Sequence, residues 1–81
     1  MDDELKQKLE KYLKKAEPMF RDLAVKESGI EGKKARHFHD MAAGYYGDAL
    51  HFYEKGQYIN ALAALEYAEG WLDAGKTIGI F

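Results

Sequence analysis

The stretch ARHFHDMAAGYYGDALHFYEKGQYINALAALEYAEGWLDA, residues 35–74, decides the fold. Before Gly56, the residues Ala35, Phe38, Ala42, Tyr45, Ala49 and Phe52 recur at alternating spacings of three and four. That period places all six on one stripe of a helix. After Gly56, Ala61, Leu65, Ala68, Leu72 and Gly75 form a matching stripe of small and large residues, with Tyr58, Leu62 and Trp71 on its margins. Two such faces bury each other, so the stretch reads as a helical hairpin folded at Gly56. Phe52 and Leu65, on facing stripes, are expected in its core.

Working outward, Leu5, Leu9, Tyr12, Leu13, Ala16, Phe20 and Leu23 give the preceding segment one apolar face opposite a face of lysines and glutamates. Asp2 is placed to cap this helix, and Asp3 and Glu4 suit the positive end of its dipole. Pro18 removes one hydrogen bond and crowds the carbonyl of Lys14, so a kink is expected there. The apolar register crosses Pro18 without a slip, which favours one bent helix over two. The connection is expected at Glu27 to Gly32, with Gly29 in the left-handed position past the helix end and Ile30 making the contact that follows it. The predicted helices cover residues 3–26, 33–55 and 58–75, the last ended by Gly75 or Gly79. No β alternation is present. The predicted fold is all-α: an up-and-down antiparallel three-helix bundle in a single domain, residues 1–81, its first helix kinked near Pro18.

Composition narrows the partners. A chain of 81 residues is one domain of marginal size for a self-sufficient core, and 47% hydrophobic with 14% aromatic residues argues for a packed globule. The net charge of −2 provides no basic excess for a phosphate backbone, so nucleic acid is not an expected partner. The absence of cysteine removes disulfides and thiolate metal sites and fits a reducing compartment. Met1-Asp2-Asp3-Glu4 has neither the basic nor the apolar part of a signal peptide, and no apolar run approaches the roughly 20 residues that span a bilayer. A cytoplasmic protein with no membrane contact is expected.

The pattern Ala49, Phe52, Gly56, Tyr58, Ala61, Leu65, Ala68 resembles one hairpin of a tetratricopeptide repeat. Only one such unit is present, too few for a stacked array. The fuller string Tyr45-Tyr46-Gly47-Asp48-Ala49-Leu50-His51-Phe52-Tyr53-Glu54-Lys55-Gly56, followed by Tyr58, Ala61 to Ala64, Tyr67-Ala68 and Gly70 to Gly75, resembles the small archaeal family known as domain of unknown function 357. The likeness is dense over residues 41–79 and looser over the first helix. It implies a three-helix bundle and an archaeal origin, and it carries no activity to any residue.

Candidate chemistry is sparse. His37 and His51 lie fourteen residues apart, roughly 21 Å along a helix, and the pairs Asp48/His51 and His37/Asp40 each supply two ligands where zinc takes three or four. No metal and no cofactor is expected. Asp40, Asp48, Glu54, Glu66, Glu69 and Asp73 read as solvated acids, no nucleophile motif is present, and the chain is not expected to be an enzyme. Two features point elsewhere. Gly44, Gly47 and Gly70 sit inside helices at about 1 kcal/mol each relative to Ala, which is expected to reflect close packing in the bundle or an approaching partner. Tyr45, Tyr46, Phe52, Tyr53, Tyr58, Tyr67 and Trp71 exceed what one stripe hides, although Phe52 and Trp71 are expected in the core. The last residues add Ile78, Ile80 and Phe81, which either fold over the bundle or join a second subunit, the second option being slightly favoured. The expected interface is Gly44, Tyr46, Gly47, Tyr53, Tyr67, Ile78, Ile80 and Phe81. The expected function is that of a helical interaction module binding a protein partner or itself, as a homodimer. The alternative is a small-molecule or metal-binding accessory protein with a pocket between helices.

Overall fold

The computed structural model describes residues 2–26 and 29–81, with residue 2 described for its backbone alone, and contains α1 (Asp2–Arg21), α2 (Gly32–Glu54) and α3 (Tyr58–Thr77). The expected cap by the Asp2 side chain, and Glu27 and Ser28 of the expected connection, lie outside the described residues. Among the described residues there is no strand. No helix there is long and apolar enough to cross a membrane.

Both glycine turns have one design. Gly56 takes a φ of 76° immediately after α2, where its N–H donates to the Tyr53 carbonyl at 3.0 Å and the next N–H, of Gln57, donates to that of Phe52 at 2.9 Å. Gly79 repeats this after α3 with a φ of 84°, as Gly79 donates to Lys76 at 3.2 Å and Ile80 to Gly75 at 2.8 Å. This pair of crossed bonds satisfies the last helical carbonyls and needs a left-handed residue, which only glycine adopts without penalty. Gly79 therefore ends α3. Gly75 lies inside the helix, buried, with the ring of Phe81 on it.

Most of the buried residues of α2 and α3 are small. On α2 they are Ala35, Ala42 and Ala49; on α3 they are Ala61, Ala64, Leu65, Ala68, Leu72 and Gly75. Ring contacts of Tyr53 with Tyr58, Tyr45 with Tyr67 and Phe38 with Trp71 fix the register of the hairpin. The same register sets Ala49 opposite Ala61, Ala42 opposite Ala68 and Ala35 opposite Gly75. Side chains this short let two backbones approach closely, and most close backbone approaches in the molecule are between these two helices. Phe52, expected in the core, is half-buried, because the alanines occupy the centre of the seam and push the large α2 residues to its edges.

α1 lies along the hairpin, antiparallel to α2, with Leu9, Leu13, Ala16 and Phe20 completing the core. Phe20 stacks on Tyr46 at 4.7 Å, and Tyr53 near the far end of α2 donates a hydrogen bond to Glu10. The bundle is a rod of 47 × 17 × 17 Å. α1 runs through Pro18 as one helix but ends at Arg21, short of the expected Lys26, so Gly29 is not its capping residue. Lys26 N–H donates to the Ile80 carbonyl at 2.7 Å, a bond that helical continuation would have given to Asp22. Ile80 is itself 0% exposed. The tail thus takes the intramolecular option, closing over the end of the bundle, and Ile80 leaves the set of residues available to another subunit.

Three truncations check this packing. Leu65→Ala and Ile80→Ala are each expected to cost about 2 to 5 kcal/mol in denaturant melts, and Phe52→Ala distinctly less. A Phe52→Ala loss equal to that of Leu65→Ala would contradict the alanine-centred seam.

Candidate interaction surface

The tyrosines divide between two sides of the molecule. Tyr46 and Tyr53 point from α2 toward α1, where with Glu10, Leu13, Lys14, Glu17 and Leu50 they line a groove of about 380 Å³. Tyr46 is held against Phe20, and burial, followed by the neighbouring Glu17 carboxylate, pushes its phenol pKa upward. The Tyr53 phenol donates to the Glu10 carboxylate, and that hydrogen bond is the main cause of a pKa pushed up to about 12. The Tyr46 ring and the Tyr53 hydroxyl thus hold α1 in place. Both acids of the groove are already partnered, since Glu17 accepts from Arg21 Nε at 2.7 Å one turn along the same helix.

The other side is the face of the α2/α3 hairpin turned away from α1. A row of rings crosses it. Tyr45 stacks on Tyr67 with centroids 5.3 Å apart, and Trp71 receives Phe38 at 5.1 Å and His37 at 5.4 Å, both edge-on. Along α3, next to this row, runs a second stripe at helical spacing: Ile59, Ala63, Tyr67, Gly70, Ala74 and Ile78. All six are exposed, the large ones at 75% for Ile59, 63% for Tyr67 and 44% for Ile78. No charge interrupts it; Glu66 and Asp73 stand at its border. α3 is therefore apolar on both its core side and its solvent side. Such a helix is normally enclosed, whereas a surface helix carries one apolar stripe.

The expected explanation of the helical glycines by packing inside the bundle is not what the structure shows. A Cβ built on Gly44, Gly47 or Gly70 meets nothing within 4 Å. Gly70 instead leaves a dent of about 340 Å³ between Phe38, Glu66, Tyr67, Trp71 and Ala74. By the hairpin register Gly44 lies abreast of Tyr67, and Gly47 turns further round α2, away from α3.

Of the eight residues expected at an interface, the structure gathers Gly44, Tyr67 and Ile78 on this outer face. Tyr46 and Tyr53 belong to the α1 groove, and Ile80 and Phe81 to the closed tail. Trp71, expected in the core, is half-buried at the edge of the face. Ile59, Ala63 and Ala74 were missed, although their spacing with Tyr67 is legible in the sequence once α3 is read for a stripe opposite its core. Among the described residues no three of His, Asp and Glu come together in a metal-binding arrangement. His37 packs on Trp71, and His39 Nδ1 lies 3.1 Å from Asp40 Oδ1.

Three antiparallel helices with one apolar face left open define the class: a small all-α bundle. The chain belongs to the family described as "Protein of unknown function (DUF357)", whose model matches residues 6–81. No curated protein and no solved structure matches it.

Two measurements follow from the geometry. Gly44→Ala and Gly70→Ala should each stabilise the folded chain by roughly 0.5 to 1 kcal/mol, because the helix gains propensity and the new methyl finds open space. A loss on either substitution in dilute solution would place a neighbour from the chain's own bundle there. Separately, Tyr53 has its phenol form favoured by folding, so its contribution to stability is present below pH 10 and fades as pH rises through about 12. In an alkaline titration followed by tyrosinate absorbance, Tyr53→Phe should remove the step of highest pKa; an unchanged last step contradicts the Glu10 bond.

Proposed function

We propose that this protein is a non-enzymatic interaction module that docks a partner helix on the open face of its α2/α3 hairpin. One observation carries the reading: α3 presents a continuous, uncharged stripe from Ile59 to Ile78 to solvent, on the side its own bundle does not cover. Burying a large aliphatic or aromatic side chain is worth about 1.5 to 3 kcal/mol, so Ile59, Tyr67 and Ile78 together offer a binding energy that an isolated chain leaves unused. The face has the character of an interface core, with Tyr67 at its centre, Trp71 at its edge and acids at its border. Exposed small positions at Ala63, Gly70 and Ala74 let another backbone come close, as the alanine seam already does inside the bundle.

A binding module is favoured over a catalyst because the two acids of the α1/α2 groove are engaged structurally, Glu10 by Tyr53 and Glu17 by Arg21. The test compares two variants immobilised in native cell extract. Ala63→Asp puts a carboxylate in the middle of the stripe and takes nothing from the core, so its melt should shift by less than about 1 kcal/mol. Proteins held by the parent chain should be lost from Ala63→Asp and retained by Lys11→Glu, a charge reversal on the exposed side of α1. Identical capture by the two variants would remove the face from any role in binding.

A further inference from the structure

The open face of the hairpin is complementary to itself. Its α3 stripe has the spacing 4, 4, 3, 4, 4 from Ile59 to Ile78, which reads the same in both directions, and its residue types nearly do: Ile59 and Ile78 at the ends, Ala63 and Ala74 inside them, Tyr67 and Gly70 at the centre. Turned over about a point midway between Tyr67 and Gly70, a second α3 lays Ile78 against Ile59, Ala74 against Ala63, and Tyr67 over Gly70. The largest projection on the stripe meets its deepest dent, twice. That is the condition of a two-fold interface, in which one patch must fit a copy of itself.

α2 repeats the arrangement in register. By the hairpin register Met41 stands abreast of Gly70 and Gly44 abreast of Tyr67, so projections and dents alternate across both helices. The same axis brings Met41 of one copy over Gly44 of the other. It also sets His37 of one copy near Asp48 of the other, a complementary pair formed twice.

We infer that the occupant of this face is a second copy of the chain, packed with α3 antiparallel to α3 through Tyr67 and Gly70. The inference rests on the docking role proposed above and names its partner. It accounts for two helical glycines that nothing inside the chain requires. The area agrees: a face about 30 Å long and two helices, or about 20 Å, wide offers on the order of 600 Å² per copy. Standard interfaces bury about 800 Å² per partner, and a dimer of this size sits at the lower end of that class. Glu66 and Asp73 form the polar rim.

The chain has no cysteine, so engineered ones report cleanly. In the antiparallel pair, residue 63 of one copy meets residue 74 of the other, while the two copies of residue 63 stand about 16 Å apart, beyond disulfide reach. Mixed Ala63→Cys and Ala74→Cys chains should therefore oxidise to a crosslinked dimer, and either variant alone should not. By sedimentation the unmodified chain should be dimeric at tens of micromolar. Gly70→Leu should weaken the dimer at least about 30-fold, with the melting temperature of the dilute monomer unchanged or raised, and Gly47→Leu should leave the dimer intact. A dimer indifferent to Gly70→Leu, or Ala63→Cys crosslinking with itself as readily as with Ala74→Cys, would overturn the antiparallel arrangement. A monomer at a hundred micromolar would overturn the second copy as partner. In those cases the docking role still stands or falls separately on the capture by Ala63→Asp.

Discussion

Everything in this bundle depends on how closely α2 and α3 approach. Most of the residues buried on the two helices are alanines, with a glycine, too short to hold two helices apart, so the hairpin is tight and its centre is filled by backbone as much as by side chains. A tight seam has no room for aromatic rings. They are displaced to its two edges, and the two edges acquire different uses. On one edge Tyr46 and Tyr53 make the bed on which α1 lies, fastened by Phe20 and Glu10. On the other, Phe38, Tyr45, Tyr67 and Trp71 remain as a ladder of rings with no third helix over them.

The asymmetry between the helices follows. α1 carries one apolar stripe and a solvated face of lysine and glutamate, and Leu9, Leu13 and Phe20 hold it at a greater distance than the alanines hold α2 and α3. α3 is the element shared by both sides. Its Leu65 and Leu72 belong to the core while Ile59 and Ile78 stand in solvent, so it is the helix through which the bundle can be extended by another.

What the sequence disclosed, and what it hid, divides along physical lines. Periodicity placed the three helices, the turn at Gly56 and the stripe Ala61, Leu65, Ala68, Leu72, Gly75, because those depend on neighbours three and four residues away. The end of α1 was not legible. Beyond Arg21 the Lys26 N–H goes to the Ile80 carbonyl from across the molecule, a contact that no local spacing signals. Periodicity also could not say which members of one α2 stripe are central, since Ala42 and Tyr45 differ only by how near the partner backbone comes. The open face went unread for a related reason: two stripes on opposite sides of α3 blur into a helix that is apolar all round.

The bond between Lys26 and Ile80 has a kinetic meaning. Contacts within the hairpin join residues close in sequence around Gly56, and such local pairings form on the microsecond scale, ahead of the docking of α1. The carbonyl that receives Lys26 becomes available only after α3 has wound to its end and Gly79 has reversed the chain. The clasp is therefore expected to close after the hairpin has formed. Its amide proton, followed by hydrogen exchange, reports the undocking of α1 while the hairpin amides stay protected.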